Sequence, residues 1–198
     1  MKSRSGTEKF WDRLAGRNKK VQKLKIDMKA KKVLRILFII LTITSIISCD
    51  QISKNIVRQK VEYNTQINVI NDYLILTKVE NTGAFLGLGN SVSRPVFVLL
   101  MILLPLIVIG YTLFYLIKKD TLSILLVIGI SFLIGGGLGN IFDRILNGSV
   151  TDFLFFDFVL FHTGIVNIAD ISVTIGFFII IYGLYINKRE LNRQTFGE

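Results

Sequence analysis

One cysteine, one histidine and two prolines occur in 198 residues, and each scarcity removes a class of protein. Cys49 cannot form an internal disulfide, and with the lone His162 it cannot complete a cysteine- or histidine-based zinc site. Serine and cysteine nucleophile schemes lack a credible base. His162 sits in a loop among aromatic and apolar neighbours and reads as an interfacial residue, and Cys49, at an apolar helix end, reads as an inert buried thiol. No metal site and no cofactor are expected. Acidic residues are also few, 14 against 24 Lys and Arg, for a formal charge of +10. Such an excess can mark a nucleic-acid binder, but thirteen of the basic residues fall between Lys2 and Arg35, ahead of the first long apolar run. That clustering is the cytoplasmic flank of a membrane span, and no nucleic-acid partner is expected.

What the chain has in abundance is Ile, Leu, Val and Phe. Hydrophobic residues make up 51% of it and the mean hydropathy is +0.55. A bilayer core about 30 Å thick needs about 20 mostly apolar residues per helix, and four windows qualify: 33–49, 95–117, 122–138 and 165–186. The first and third are short, but each continues into a polar, helix-compatible stretch, 50–57 and 139–145, so both emerge at one surface carrying functional side chains. Lys118 and Lys119 lie between spans two and three, and Lys188, Arg189 and Arg193 follow span four. With the basic start, they place both termini and the middle loop in the cytoplasm and loops 50–94 and 139–164 outside.

The first outer loop is too long for a turn. Val61, Tyr63, Thr65, Ile67 and Val69 alternate with more polar neighbours as a strand does, Asn71 and Asp72 supply a turn, and Tyr73 to Val79 form a second apolar stretch. The expected fold is an all-α membrane bundle of four transmembrane helices with a small extracytoplasmic β-sheet element. Its parts are a basic extension (1–32), a four-span domain (33–187) and a cytoplasmic tail (188–198). Residues 1–27 precede a second methionine, Met28, and are set aside from the fold argument as an extension, a mis-assigned start or non-native sequence. No internal repeat is visible.

Ionisable groups beside spans are functional candidates, because burying them unpaired costs several kcal/mol. Five acids qualify: Asp50, Asp143, Asp152, Asp157 and Asp170. Asp50 precedes Lys54 by four residues, the spacing of a helical ion pair. Asn140 and Arg144 share a helix face with Gly136, and that face is expected to point inward. The run Gly135 to Gly139 is no phosphate loop, since no Lys follows it; Gly135 and Gly139 suit close helix packing. Asn167 and Asp170 share a face near the outer end of span four, where a buried carboxylate needs a partner. Asp152, in an extended segment from Val150 to Leu154, is one candidate and Asp157 the other. Two carboxyls held together cannot both ionise easily, so one keeps a proton and serves as acid while the other serves as base on a water. A small membrane transporter or relay protein uses the same ingredients. Yet no internal symmetry between halves is visible, and the polar residues gather at one surface. A lipoprotein is a further reading, because Ile46 to Cys49 form a lipobox-like run after an apolar segment, but three more spans would then follow the modified cysteine.

Four blocks resemble a known family, the lipoprotein or type II signal peptidases. They are Asp50, Gln51 and Lys54 closing the first span; Asn81, Thr82 and Gly83 with Ala84 and Phe85; Gly137 to Arg144 (GLGNIFDR) followed by Val150 to Phe153; and Asn167 to Asp170 (NIAD). The resemblance covers about residues 30–187. It implies an aspartyl endopeptidase of the bacterial inner membrane with its site near the outer face. Asp152 and Asp170 would be the catalytic pair, Asn81, Gly83, Asn140, Arg144 and Asn167 would shape the site, and Asp50 and Asp143 would support it. It further implies prolipoprotein substrates whose cysteine carries diacylglycerol, cut just before that cysteine, and membrane lipids as surroundings.

Overall fold

A computed structural model describes residues 6–83, 93–158 and 161–197. The chain divides into two compact units, Met1–Phe38 and Ile39–Glu198. Helix α1, Gly6–Lys60, begins in the first and ends in the second. From Arg17 to Lys60 it meets neither Gly nor Pro, so nothing in the backbone interrupts it, and Arg58 and Lys60 in its last turn complement the helix dipole.

The second unit follows with strands β1 (Ile67–Ile70) and β2 (Leu74–Asn81). Helix α2 runs over Arg94–Lys118 and α3 over Ile124–Asn147. Strands β3 (Val150–Phe158) and β4 (Phe161–His162) precede helix α4, Ile168–Phe196. Within α2 the turns Val98–Leu103 widen to π geometry just ahead of Pro105. A proline ring has no N–H to donate and clashes with the carbonyl four residues back, and widening the turn relieves both. Among the described residues four helices are long and apolar enough to cross a membrane, Ile26–Lys60, Arg94–Lys118, Ile124–Asn147 and Ile168–Arg193. The expected four-helix bundle with a small sheet is therefore present. Large apolar side chains such as Ile107, Tyr111 and Phe178 stand exposed around it, while polar side chains such as Asp50, Lys54 and Asp143 are fully buried. That inversion suits a solvent of lipid.

Two features pack the bundle. An apolar cluster of Ile39, Ile43, Leu116, Val127 and Ile134 joins α1, α2 and α3. Glycines on α3 then let its neighbours come close. A Cβ on Gly135 would lie 2.9 Å from Ile46, one on Gly139 would lie 2.7 Å from Asp50 Oδ2, and one on Gly136 would collide with the Ala169 carbonyl. The inward glycine face expected from the sequence is thus the contact face of α3 with both α1 and α4.

The sheet is antiparallel with strand order β1-β2-β3-β4. Its turn is at Asn71, which takes a positive φ of 44°, close to where Asn71 and Asp72 were expected to turn the chain. The first strand is shorter than expected. Val61 is not in it, because Val61 continues the helical spacing from Val57 and packs with that residue and Phe153. Only Ile67–Ile70 pairs. The extended segment expected from Val150 to Leu154 is longer and takes in Asp157, which lies in strand β3 opposite His162. Neither residue is therefore in a loop. Cys49, expected as a buried thiol, is exposed, because the inward face of α1 there carries Ile46 and Asp50.

Register is what the sheet contributes to function. Val79 pairs with Asp152, Glu80 with Thr151 and Asn81 with Val150. Asn81 and Asp152 are therefore diagonal neighbours on one face, and Glu80 and Thr151 face each other on the other. Beyond β3, Val166 forms an antiparallel bridge with Leu154, which draws the start of α4 alongside the strand.

Candidate active site

Helix α4 starts with a capping box. The Asn167 side chain accepts from the Asp170 backbone N–H at 3.0 Å, and Asp170 Oδ2 accepts from the Asn167 backbone N–H at 3.1 Å. The N-x-x-D spacing is the reason: a side-chain oxygen at the cap and a carboxylate three residues on satisfy two orphan helix donors reciprocally. With its oxygen so engaged, the Asn167 amide turns its NH2 outward, donating to Asp152 Oδ1 at 2.6 Å and to Asn140 Oδ1 at 3.1 Å.

A second amide is oriented from below. Lys54 Nζ lies 2.9 Å from Asn140 Oδ1. An ammonium can only donate, so the atom of Asn140 facing it is the oxygen. The Asn140 NH2 then points to Asp170 Oδ1 at 2.8 Å. The third amide, Asn81, accepts from Gly83 N at 3.0 Å and donates to Asp152 Oδ2 at 3.0 Å. Arg144 holds the same turn by donating to the Gly83 carbonyl at 2.8 Å.

Asp152 and Asp170 line one cavity of about 230 Å³ together with Asn81, Asn140, Arg144, Val150, Ile165 and Val173. Of the two partners open for Asp170, Asp152 is the one brought to it, while Asp157 lies five residues farther along β3. Asp152 is 5% exposed. Burial pushes its carboxyl up from 3.8 to about 6, and the neighbouring Asp170 charge adds to that rise; the amides of Asn81 and Asn167 and the more distant Lys54 oppose it. Such a pair can hold one proton between two carboxyls, which gives an acid and a base within one cavity. An apolar pocket of about 420 Å³ adjoins it along α4, lined by Phe156, Val166, Asp170, Ile171 and Ile175 among others.

Asp50 and Asp143 do not line this cavity. Both are fully buried on either side of Lys54, whose Nζ lies 2.8 Å from each. The ion pair expected between Asp50 and Lys54 is therefore present, with a third member. Asp50 also accepts from Ala169 N at 2.9 Å, which fixes α4 to α1. Arg58 extends the network, binding Asp143 at 2.8 Å and Thr151 at 2.7 Å, and Thr151 and Ser149 both donate to Glu80. Sequence reasoning did not single out Arg58, Thr151, Ser149 or Glu80. The first was recoverable, because residues 50, 54 and 58 follow one another at helical spacing. Thr82 lies at the exposed end of β2, whereas Ala84 and Phe85 of the same block lie outside the described residues.

The chain as a whole is similar to known proteins. The family profile described as "Signal peptidase (SPase) II" matches residues 41–186. A lipoprotein signal peptidase of Maridesulfovibrio salexigens is 38% identical over 143 residues, 70% of this chain and 89% of that protein. One from Brevibacillus brevis is 34% identical over 145 residues, 73% and 93% of the two chains. A bacterial membrane enzyme solved by the in meso method at 2.3 Å superposes with a TM-score of 0.69 at 29% identity, covering 77% of this chain and 90% of that one.

The raised carboxyl of Asp152 has a consequence for stability. The folded protein holds this proton up to about 6, whereas an unfolded chain releases it near 3.8. Ionisation therefore destabilises the fold as pH rises between those values, and the full penalty is present above about 6. Asp152→Asn cannot ionise. It should unfold at a higher temperature than the wild type at about pH 8, by up to about 3 kcal/mol for two pKa units, and lose the advantage near pH 3.5. A difference in melting temperature unchanged across that range would contradict the assignment.

Proposed function

Because the chain belongs to the signal peptidase II family, we propose that Asp152 and Asp170 are the pair with which it cleaves its substrate. The enzyme is an aspartic peptidase of a bacterial membrane, and it removes signal peptides from prolipoproteins. The observation that carries the residue assignment is the shared cavity, where both carboxyls meet with their orientations set by three asparagine amides.

The reaction follows from one proton on two acids. The ionised carboxyl takes a proton from a water as that water's oxygen bonds to the scissile carbonyl carbon. The protonated carboxyl donates toward the carbonyl oxygen, giving a neutral tetrahedral diol. Transfer of a proton to the leaving nitrogen then lets the C–N bond break, releasing an acid and an amine. Arg144 and Asn140 stand on the cavity wall to hold the substrate backbone. The neighbouring apolar pocket suits the hydrophobic end of a signal peptide. The substrate cysteine carries diacylglycerol and the cut falls just before it, so that the acyl chains remain in lipid beside the exposed apolar helix faces.

Asp152→Asn and Asp170→Asn should each yield folded protein that binds lipidated precursor and does not cut it, a loss of at least about 10³-fold for removing one half of an acid–base pair. Asp157→Asn should retain most activity. A gel assay with a diacylglyceryl precursor reads this. Cleavage by Asp152→Asn with none by Asp157→Asn would reassign the pair, and normal cleavage by all three would end the aspartyl reading.

The site lies near the outer membrane face, with both termini and the Lys118–Asp120 loop in the cytoplasm, as their basic residues favour. In a Cys49→Ser background, a cysteine at position 119 should resist an impermeant thiol reagent applied to intact cells and react after lysis. Labelling from outside would invert the topology.

A further inference from the structure

Residues 2–35 hold thirteen Lys and Arg against Glu8, Asp12 and Asp27, a net +10, which equals the formal charge of the whole chain. Residues 36–198 are therefore electrically balanced, and the entire excess sits ahead of residue 41, where the family profile begins. This stretch is helical from Gly6 onward. Phe10, Leu14, Val21, Leu24 and Met28 recur at separations of four, seven, three and four residues. At 100° per residue, that spacing keeps them within an arc of about 80°. Between Phe10 and Met28, five of the thirteen positions off that arc are Lys or Arg and two are Asp, and only Arg17 interrupts the stripe.

We propose that this extension is a binding surface for anionic phospholipid, with the apolar stripe entering the headgroup boundary and the lysines and arginines neutralising lipid charge. A basic helix with one narrow apolar face and a net positive, mostly polar remainder has the composition of interfacial helices on anionic bilayers. Continuity favours a lipid surface over a nucleic acid, since the same helix runs into a candidate span that begins at Ile26. A covalent link to a span holds the extension at high effective concentration beside headgroups, and no such link supplies a polynucleotide. The proposal is independent of the cleavage reading, and the extension contains none of the residues of the cavity.

Trp11 is the chain's only tryptophan, so its fluorescence in the full-length protein reports on this segment alone. Protein reconstituted in nanodiscs of phosphatidylglycerol should emit at shorter wavelength, and be quenched more by brominated acyl chains, than in nanodiscs of phosphatidylcholine. The difference should disappear at about 1 M salt, where charges are screened beyond about 3 Å. It should also be lost on combined Lys19→Gln, Lys20→Gln, Lys23→Gln and Lys25→Gln substitution, which retains helix propensity and should retain precursor cleavage in detergent. Equal emission in the two lipids would overturn the proposal, whether shifted in both or in neither. So would a shift that depends on protein concentration, which would mark self-association, or one that appears only on adding an RNA oligonucleotide.

Discussion

The buried ammonium of Lys54 is the contact on which the rest of the site depends. Two carboxylates and one amide oxygen converge on it, from α1 and α3, and Lys54, Asp50 and Asp143 have no exposure to solvent. Removing one member of a buried charge cluster costs about 3–5 kcal/mol, because the others are left uncompensated. The arrangement is therefore all or nothing. It fixes the end of α1 against α3, and through Asp50 and the Ala169 N–H it fixes the start of α4 as well. The glycines of α3 are the steric counterpart, since a side chain at Gly136 or Gly139 would push α4 or Asp50 away.

From that centre, donor and acceptor logic spreads outward to the acids. Lys54 dictates which way Asn140 faces, and the helix cap dictates which way Asn167 faces. The Gly83 N–H does the same for Asn81. Each amide is left with an NH2 group to offer, and those groups hold Asp152 and Asp170 in position. An asparagine is suited to this because it transmits orientation without adding charge beside the two carboxyls. The sheet register sets Asn81 diagonal to Asp152, and the bridge from Val166 to Leu154 brings Asn167 to its other side.

The helices and much of this site were legible in the sequence because their signals are local. Apolar windows and their polar continuations gave four helices, and the Asp50–Lys54 spacing gave the ion pair. The N-x-x-D pattern predicts a shared helix face, whereas Asn167 is the cap and Asp170 the third helical residue. What stayed hidden depends on pairing at a distance. The family resemblance names Asp152, but the residues alone leave Asp152 and Asp157 open as partners of Asp170, because the choice is made by strand register and by the bridge between Leu154 and Val166, neither of which has a local signature. The role of Glu80 is hidden for the same reason, as it acts through Thr151 on the opposite strand. Val61 belongs with these, because an apolar residue at a helix end and one at a strand start look alike without their partners.

The central claim is that two carboxyls share one proton in the working enzyme, and the pH dependence of kcat/KM for a lipidated precursor tests it most directly. The account predicts a bell-shaped profile whose alkaline limb has an apparent pKa near the raised value of about 6 or above it, a property of the pair and not of either acid alone. A rate that climbs steadily through neutral pH with no alkaline fall would mean that a single base does the work, and would contradict it.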